Sequence, residues 1–360
     1  MKTSRIFAFC ALWAVFTAFG TPAAAQNYQT TGIQDLALIY QGGSHRLDWT
    51  VDEFRPYVAH QFADGKKDWL FDGFLFLEFK DGSGRNYTVG YEKLNARKTE
   101  WEWLLERIFE QGKSLSALDQ CIGEEIGELG KPAFKHQIVL GLPEAIRDQK
   151  DWGELDGRQM DFSKEEDQIA ATKWYIGELV KRFKASKYKH LELSGFYWVA
   201  EDTHHCAELT IPLSEYIHSE GKLFYWIPYW QAKGHEEWKR LGFDVAYQQP
   251  NHFFNHSIPD SRLDEACATA RKYGMAMEFE FDEKATAAIP NSSYDRMAAY
   301  INHFEKNDVF NSSAVAYYCG NRGVLTLNES NDPKDKALMD RLARIIQTRR
   351  YLKYGIPMKN

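Results

Sequence analysis

The sequence of 360 residues predicts an α/β protein, a single (β/α)8 TIM barrel, and three observations carry that expectation. Strand-like and helix-like patterns alternate through eight units between Asp35 and Tyr354, as such a barrel requires. No Gly-x-Gly-x-x-Gly turn follows the first strand, which argues against an open doubly wound sheet. A composition that is 44% hydrophobic and 15% aromatic supplies a core of barrel size, and no linker, repeat or low-complexity segment divides it.

The first strand is expected over Asp35 to Gln41, where apolar residues run almost unbroken, and the first helix over Val51 to Phe62. Trp69 to Phe79 reads as the second strand, with Asp72, Phe74, Phe76 and Glu78 on one face. Lys80 to Asn95, rich in Gly and polar residues, reads as a loop or small hairpin over the barrel mouth. Helices follow over Arg97 to Gln111 and Ser114 to Leu129, then a third strand over His136 to Leu142 and a long loop to Asp161. The expected barrel therefore has an elaborated loop region after strands 2 and 3. Ser163 to Glu166 has the spacing of a capping box for a helix reaching about Ala185. Strands are then expected at His190 to Trp198, Lys222 to Trp230, Phe243 to Gln249, Met275 to Asp282 and Ala314 to Tyr318. Their helices fall at Leu209 to Ser219, His235 to Leu241, Pro259 to Tyr273, Tyr294 to Lys306 and Asp335 to Tyr354.

Residues 1–25 read as a signal peptide: Lys2 and Arg5 precede an apolar run from Ile6 to Phe19, and Ala23 to Ala25 offer small residues for cleavage. The expected mature chain, 26–360, is one barrel domain, exported to the periplasm or the extracellular space, without membrane insertion. Loss of Lys2 and Arg5 takes the net charge from −7 to about −9. That balance argues against nucleic acid, whose phosphates call for clustered bases. Cys121, Cys206, Cys267 and Cys319 are too widely spaced for a disulfide framework or a zinc knuckle.

Chemistry concentrates at two strands. On strand four, alternation places Glu192, Ser194, Phe196 and Trp198 inward and Leu191, Leu193 and Gly195 outward; the aromatic run Phe196-Tyr197-Trp198 ends at Glu201-Asp202. Aromatic faces stack on sugar rings, and glycosidic cleavage needs placed carboxylates. On strand seven, Glu278, Glu280 and Asp282 share one face and Met277, Phe279 and Phe281 the other. Three acids inside a strand are costly to bury unless they pair, bind or react. In a barrel of this kind the active site lies at the C-terminal strand ends, where both clusters fall.

Glu201 after strand four and Glu280 on strand seven make the layout resemble the retaining (β/α)8 glycoside hydrolases. More narrowly, Gly195-Phe196-Tyr197-Trp198 with Glu201, Ile227-Pro228-Tyr229-Trp230 and Glu278-Phe279-Glu280-Phe281-Asp282 resemble a set of secreted bacterial barrel proteins catalogued as a domain of unknown function. The resemblance covers nearly all of the mature chain; Ala200 stands where the best-known glycosidase clan has Asn. It implies Glu201 as acid/base and Glu280 as nucleophile, with Asp202 and Glu278 as neighbours that one residue of register would exchange with them.

Asp72, Tyr197, Trp198, Tyr229, Trp230, Gln248, Asn251, His252, Glu278 and Tyr318 are the expected substrate-binding groups, because they gather at strand ends. His204-His205 is not expected to hold a metal, since neighbours on an extended turn point apart. No Gly-x-Ser-x-Gly elbow marks a serine hydrolase. The leading expectation is a monomeric, cofactor-free glycoside hydrolase acting on an oligosaccharide or polysaccharide. Its rivals are a non-catalytic carbohydrate-binding barrel and a metal-assisted polysaccharide deacetylase or lyase.

Overall fold

The computed structural model describes residues 27–356. The expected signal peptide therefore lies outside the described residues. Eight parallel strands close a barrel: β1 (Asp35–Tyr40), β2 (Gly73–Leu77), β3 (His136–Leu142), β4 (Leu191–Trp198), β5 (Leu223–Trp226), β6 (Val245–Gln248), β7 (Ala276–Glu280) and β8 (Val315–Tyr318). Each pairs with its sequence neighbours, and β8 closes on β1 through Asp35 opposite Val315. The main helices are α1 (Val51–Val58), α2 (Lys98–Ile108), α3 (Ser114–Leu129), α4 (Glu165–Ser186), α5 (Ala207–Ser219), α6 (Ser261–Tyr273), α7 (Tyr294–Lys306), α8 (Val309–Ser312), α9 (Gly323–Glu329) and α10 (Pro333–Tyr354).

Period-two alternation sorts the strand side chains into two cores. Leu36, Leu38, Leu75, Leu77, Val139, Tyr225, Tyr247 and Ala316 form the barrel interior. Their neighbours Ala37, Phe74, Phe76, Ile138, Phe224, Ala246, Phe279 and Tyr317 pack under the helices. Both faces of every strand are thus covered, which is why the strands read as nearly continuous apolar runs.

Several expected boundaries move for identifiable reasons. The second strand is shorter because Lys67–Trp69 pairs antiparallel with Ala59–Gln61, and that hairpin also ends α1 at Val58. The fifth stops at Trp226, since Pro228 has no N–H to give a ladder. Helix α4 starts at Glu165 without the expected capping box: Ser163 donates from its N–H and Oγ to Asp161 instead. Two short pairs, Arg85–Asn86 with Leu94–Asn95 and Glu154–Leu155 with Arg158–Gln159, fill the loops after β2 and β3.

The inward and outward faces of β4 differ from expectation above Leu193. Leu193 faces Ile138 of β3 but Gly195 faces Val139, so Ser194 is an extra residue and the strand bulges there. A Cβ on Gly195 would sit 2.1 Å from the Leu223 carbonyl oxygen, so only Gly allows β5 so close. Beyond the bulge the parity is reversed: Tyr197 and Val199 point into the barrel, while Phe196 and Trp198 turn out under the helices.

Candidate active site

Asp72 does not belong to the mouth. It lies just before β2 at the N-terminal end of the barrel, where it accepts from the N–H groups of Gln34 and Asp35 and pairs with Lys353 and Tyr354 of α10. With the buried Asp35–Arg349 ion pair beside it, Asp72 fixes the last helix across the barrel floor. Asp72 therefore has an architectural place, opposite the candidate site.

At the other end, β4 and β7 bring three carboxyls into mutual electrostatic contact. Glu201 follows β4, and Glu278 and Glu280 occupy alternate inward positions of β7. Glu278 is 1% and Glu280 0% exposed, whereas Glu201 keeps partial access. Burial pushes the Glu201 carboxyl up to about 7, the charges of Glu280 and Asp202 adding to it against a hydrogen bond from Gln249. Burial likewise lifts Glu280 to about 7, opposed by hydrogen bonds from Tyr300 and from the N–H groups of His252 and Asn251, and by the charge of Arg296. Glu278 is driven well above the usual carboxylate range by burial, with the charges of Glu280 and Glu201 adding.

Each carboxyl is held differently. Glu280 Oε2 accepts from Tyr300 Oη on α7 and from the His252 N–H at 3.1 Å. Its Oε1 is buried without a hydrogen-bond partner among the described residues, as is Glu278 Oε2. Glu201 Oε1 accepts from Gln249 Nε2 at 3.4 Å; Gln249 Oε1 accepts from Asn251 Nδ2 at 2.9 Å, and Asn251 Oδ1 from the Trp230 N–H at 2.6 Å. Arg296 directs its donors to the carbonyls of His252, Asn255 and Ile258 and so braces the loop after β6.

The remaining expected residues divide by strand parity. Tyr197 lies in the interior, where burial raises its phenol and the charges of nearby Glu201 and Glu278 add to it. Tyr318 ends β8 and packs edge-on to Tyr40 at 5.5 Å. Tyr229, 37% exposed, donates from its phenol to Asp202 Oδ2 at 2.9 Å on the rim. Trp198 is removed from the mouth by the bulge and packs edge-on against Phe224. Gln248 also points away from the interior; the inward neighbour Gln249 is the one that meets Glu201. Trp230 stacks beneath Arg262 at 4.7 Å, contributing its backbone to Asn251. His252 offers its N–H to Glu280, while its ring pairs with Asp260 at 2.8 Å and is held down to about 4, mainly by burial. The rings of His204 and His205 do not diverge but meet edge to face at 4.2 Å. Among the described residues no group of three or more His, Cys, Asp or Glu could hold a metal ion.

Some contributors lie in loops where no periodicity marks them. Tyr91, 43% exposed, lines a small depression of about 140 Å³ with Thr88, Val199, Glu201, Asp202 and Tyr229. Its loop is tied down by buried Glu144 at the end of β3, which accepts from Thr88 Oγ1 at 2.7 Å and the Val89 N–H at 3.2 Å. Arg46 makes a bidentate pair with buried Glu78 and lies 4.5 Å from the Tyr40 ring. A Gln-Gln pair at a strand end was the signal that could have pointed to Gln249; Tyr300 and Arg296 on α7 left none.

A family model described as Domain of unknown function (DUF4855) matches residues 35–344, from the start of β1 into α10. No curated protein matches the chain. Among solved structures, a candidate alpha-L-fucosidase from Bacteroides thetaiotaomicron is 14% identical with a TM-score of 0.45, over 91% of this chain and 97% of that one. A noncanonic maltogenic alpha-amylase from Thermotoga neapolitana is 10% identical with a TM-score of 0.46, over 88% and 76%. Tryptophan synthase from Pyrococcus furiosus is 10% identical with a TM-score of 0.37, over 88% and 98%. At these scores none of the three bears on activity.

Proposed function

Because the chain belongs to the family described as Domain of unknown function (DUF4855), which assigns no chemistry, we propose a function from the site: an exported glycoside hydrolase acting on an oligosaccharide or polysaccharide. One observation carries this reading, the convergence of Glu201, Glu278 and Glu280 at the C-terminal barrel end in a setting that raises all three. Burying three carboxyls together destabilises a fold, and perturbed acids gather where chemistry is done.

Glycosidic cleavage needs one carboxyl protonated to assist the leaving oxygen and one ionised to attack carbon or activate water. Glu201 suits the acid: it is the accessible member, within reach of a leaving oxygen, and burial raises its carboxyl. Glu280 suits the base or nucleophile: Tyr300 and the His252 N–H fix one oxygen and stabilise its charge, leaving Oε1 unpartnered among the described residues. Glu278, pushed well above the usual carboxylate range by burial and by the charges of Glu280 and Glu201, is the least suited of the three to carry charge beside Glu280.

The rival, a non-catalytic carbohydrate-binding barrel, is favoured by a different observation: Glu280 has no exposed surface, so a sugar reaches it only if neighbouring groups move. Product release from a panel of plant, host and microbial glycans, compared between the parent protein and Glu280→Gln, tests the proposal. Hydrolysis lost with the Gln variant supports it; a parent that binds a glycan but never cleaves it leaves the binding barrel.

A further inference from the structure

We propose that the cavity beside Phe254 is a distal sugar subsite, so that the protein grips a polysaccharide over several rings and favours it over a short glycoside. The inference rests on the carbohydrate reading of the carboxyl site. The cavity, about 540 Å³, is lined by Phe254, His256, Asp282, Lys284, Ile289 and Asn291. It is larger than the depression of about 140 Å³ at Glu201. Both walls continue the site. Asp282 stands two residues beyond Glu280, and Phe254 two residues beyond His252, whose N–H holds Glu280.

A band of rings joins the two places. Phe254 meets Tyr318 edge-on at 5.3 Å, Tyr318 meets Tyr40 at 5.5 Å, Tyr40 meets Phe79 at 5.6 Å, and Phe79 stacks on Tyr91 at 4.7 Å. The band begins at the Glu201 depression and ends in the Phe254 cavity. Phe254 is 51% and Ile289 40% exposed, large apolar surface left open in a concave place. Around it stand groups that exchange hydrogen bonds with hydroxyls: Asp282, whose Oδ1 accepts the Lys284 N–H at 2.7 Å, the exposed Lys284, and Asn291. An apolar ring flanked by polar groups fits a sugar ring, whose C–H face stacks while its rim donates and accepts.

The test uses the full chain in a Glu280→Gln background, so that binding is read without turnover. The probes are size-fractionated oligosaccharides of two to eight rings from cellulose, xylan, starch and chitin, titrated by calorimetry. Affinity should rise with length until the cavity is filled. Adding Phe254→Ala should weaken the longest probe by about threefold to tenfold and leave the dimer unchanged. Ile289→Ala, on another loop, should act in the same direction. The proposal is overturned if both variants bind every length as the background does, or weaken dimer and octamer alike. If no probe binds in any background, the subsite and the carbohydrate reading fall together. If length-dependent binding is seen but Glu280→Gln still hydrolyses at the parent rate, only the catalytic reading falls.

Discussion

Gln249 Nε2 donates to Glu201 Oε1 at 3.4 Å, and so couples the loop after β6 to the candidate acid after β4. That donation favours the ionised form and opposes the burial that lifts Glu201 to about 7. Replacing Gln249 by Leu removes the donor, so the Glu201 pKa should rise further. The alkaline limb of kcat/KM, which reports loss of the acid's proton, should move to higher pH by about half a unit or more. A pH–rate profile with an unmoved alkaline limb would separate Gln249 from Glu201.

Tyr300 supplies the opposite half of the site. Tyr300→Phe keeps the ring that packs against Phe279 and Phe304 but withdraws the O–H from Glu280. Glu280 should then hold its proton to higher pH, shifting the acid limb upward and lowering kcat by about tenfold. An acid limb at its parent position, with full activity, would show that Tyr300 is packing alone.

The three carboxyls also set how stability depends on pH. Each is raised in the folded chain, so between the ordinary Glu range and about 7 the folded state binds more protons than the unfolded state. Their contribution is fully present below the ordinary Glu pKa and is lost as pH rises through the raised values. Glu278→Gln mimics the protonated acid. It should leave Tm nearly unchanged near pH 4 and raise it by about 2 °C or more near pH 8. Equal effects at both pH values, followed by calorimetry, would contradict a raised Glu278 carboxyl.

The bulge in β4 makes a structural prediction. Gly195→Ala would press a methyl into the Leu223 carbonyl and the Tyr225 ring, and should cost about 3 kcal/mol or more in denaturant unfolding. Ser194→Ala, which loses one hydrogen bond to Tyr225, should cost about 1 kcal/mol. A harmless Gly195→Ala would mean that β5 does not approach β4 so closely.

What was legible follows from these same residues. Eight strands could be read because every one is buried on both faces, and Glu278 and Glu280 because strict alternation survives along β7. Alternation fails on β4, where one extra residue at Ser194 is set by a contact with Leu223 far along the chain, and Trp198 therefore lies on the face opposite to the one its sequence position predicts. Asp72 lies at the barrel floor because Trp69 and Gly73 belong to different sheets, a distinction that depends on Ala59–Gln61 pairing back and has no local mark in the sequence. Tyr91, Arg46 and Glu144 come together through loop closure, which leaves no periodic mark.

The measurement that bears most directly on the central claim compares Glu201→Gln and Glu280→Gln with the parent on a glycan the parent cleaves, following turnover and binding side by side. Gln preserves size and hydrogen bonding but cannot give up the proton or carry the charge that cleavage needs. Turnover should fall by about 10² or more in each variant while affinity is largely kept. Hydrolysis at the parent rate by both variants would contradict the assignment of Glu201 and Glu280 and place the catalytic groups elsewhere in the barrel.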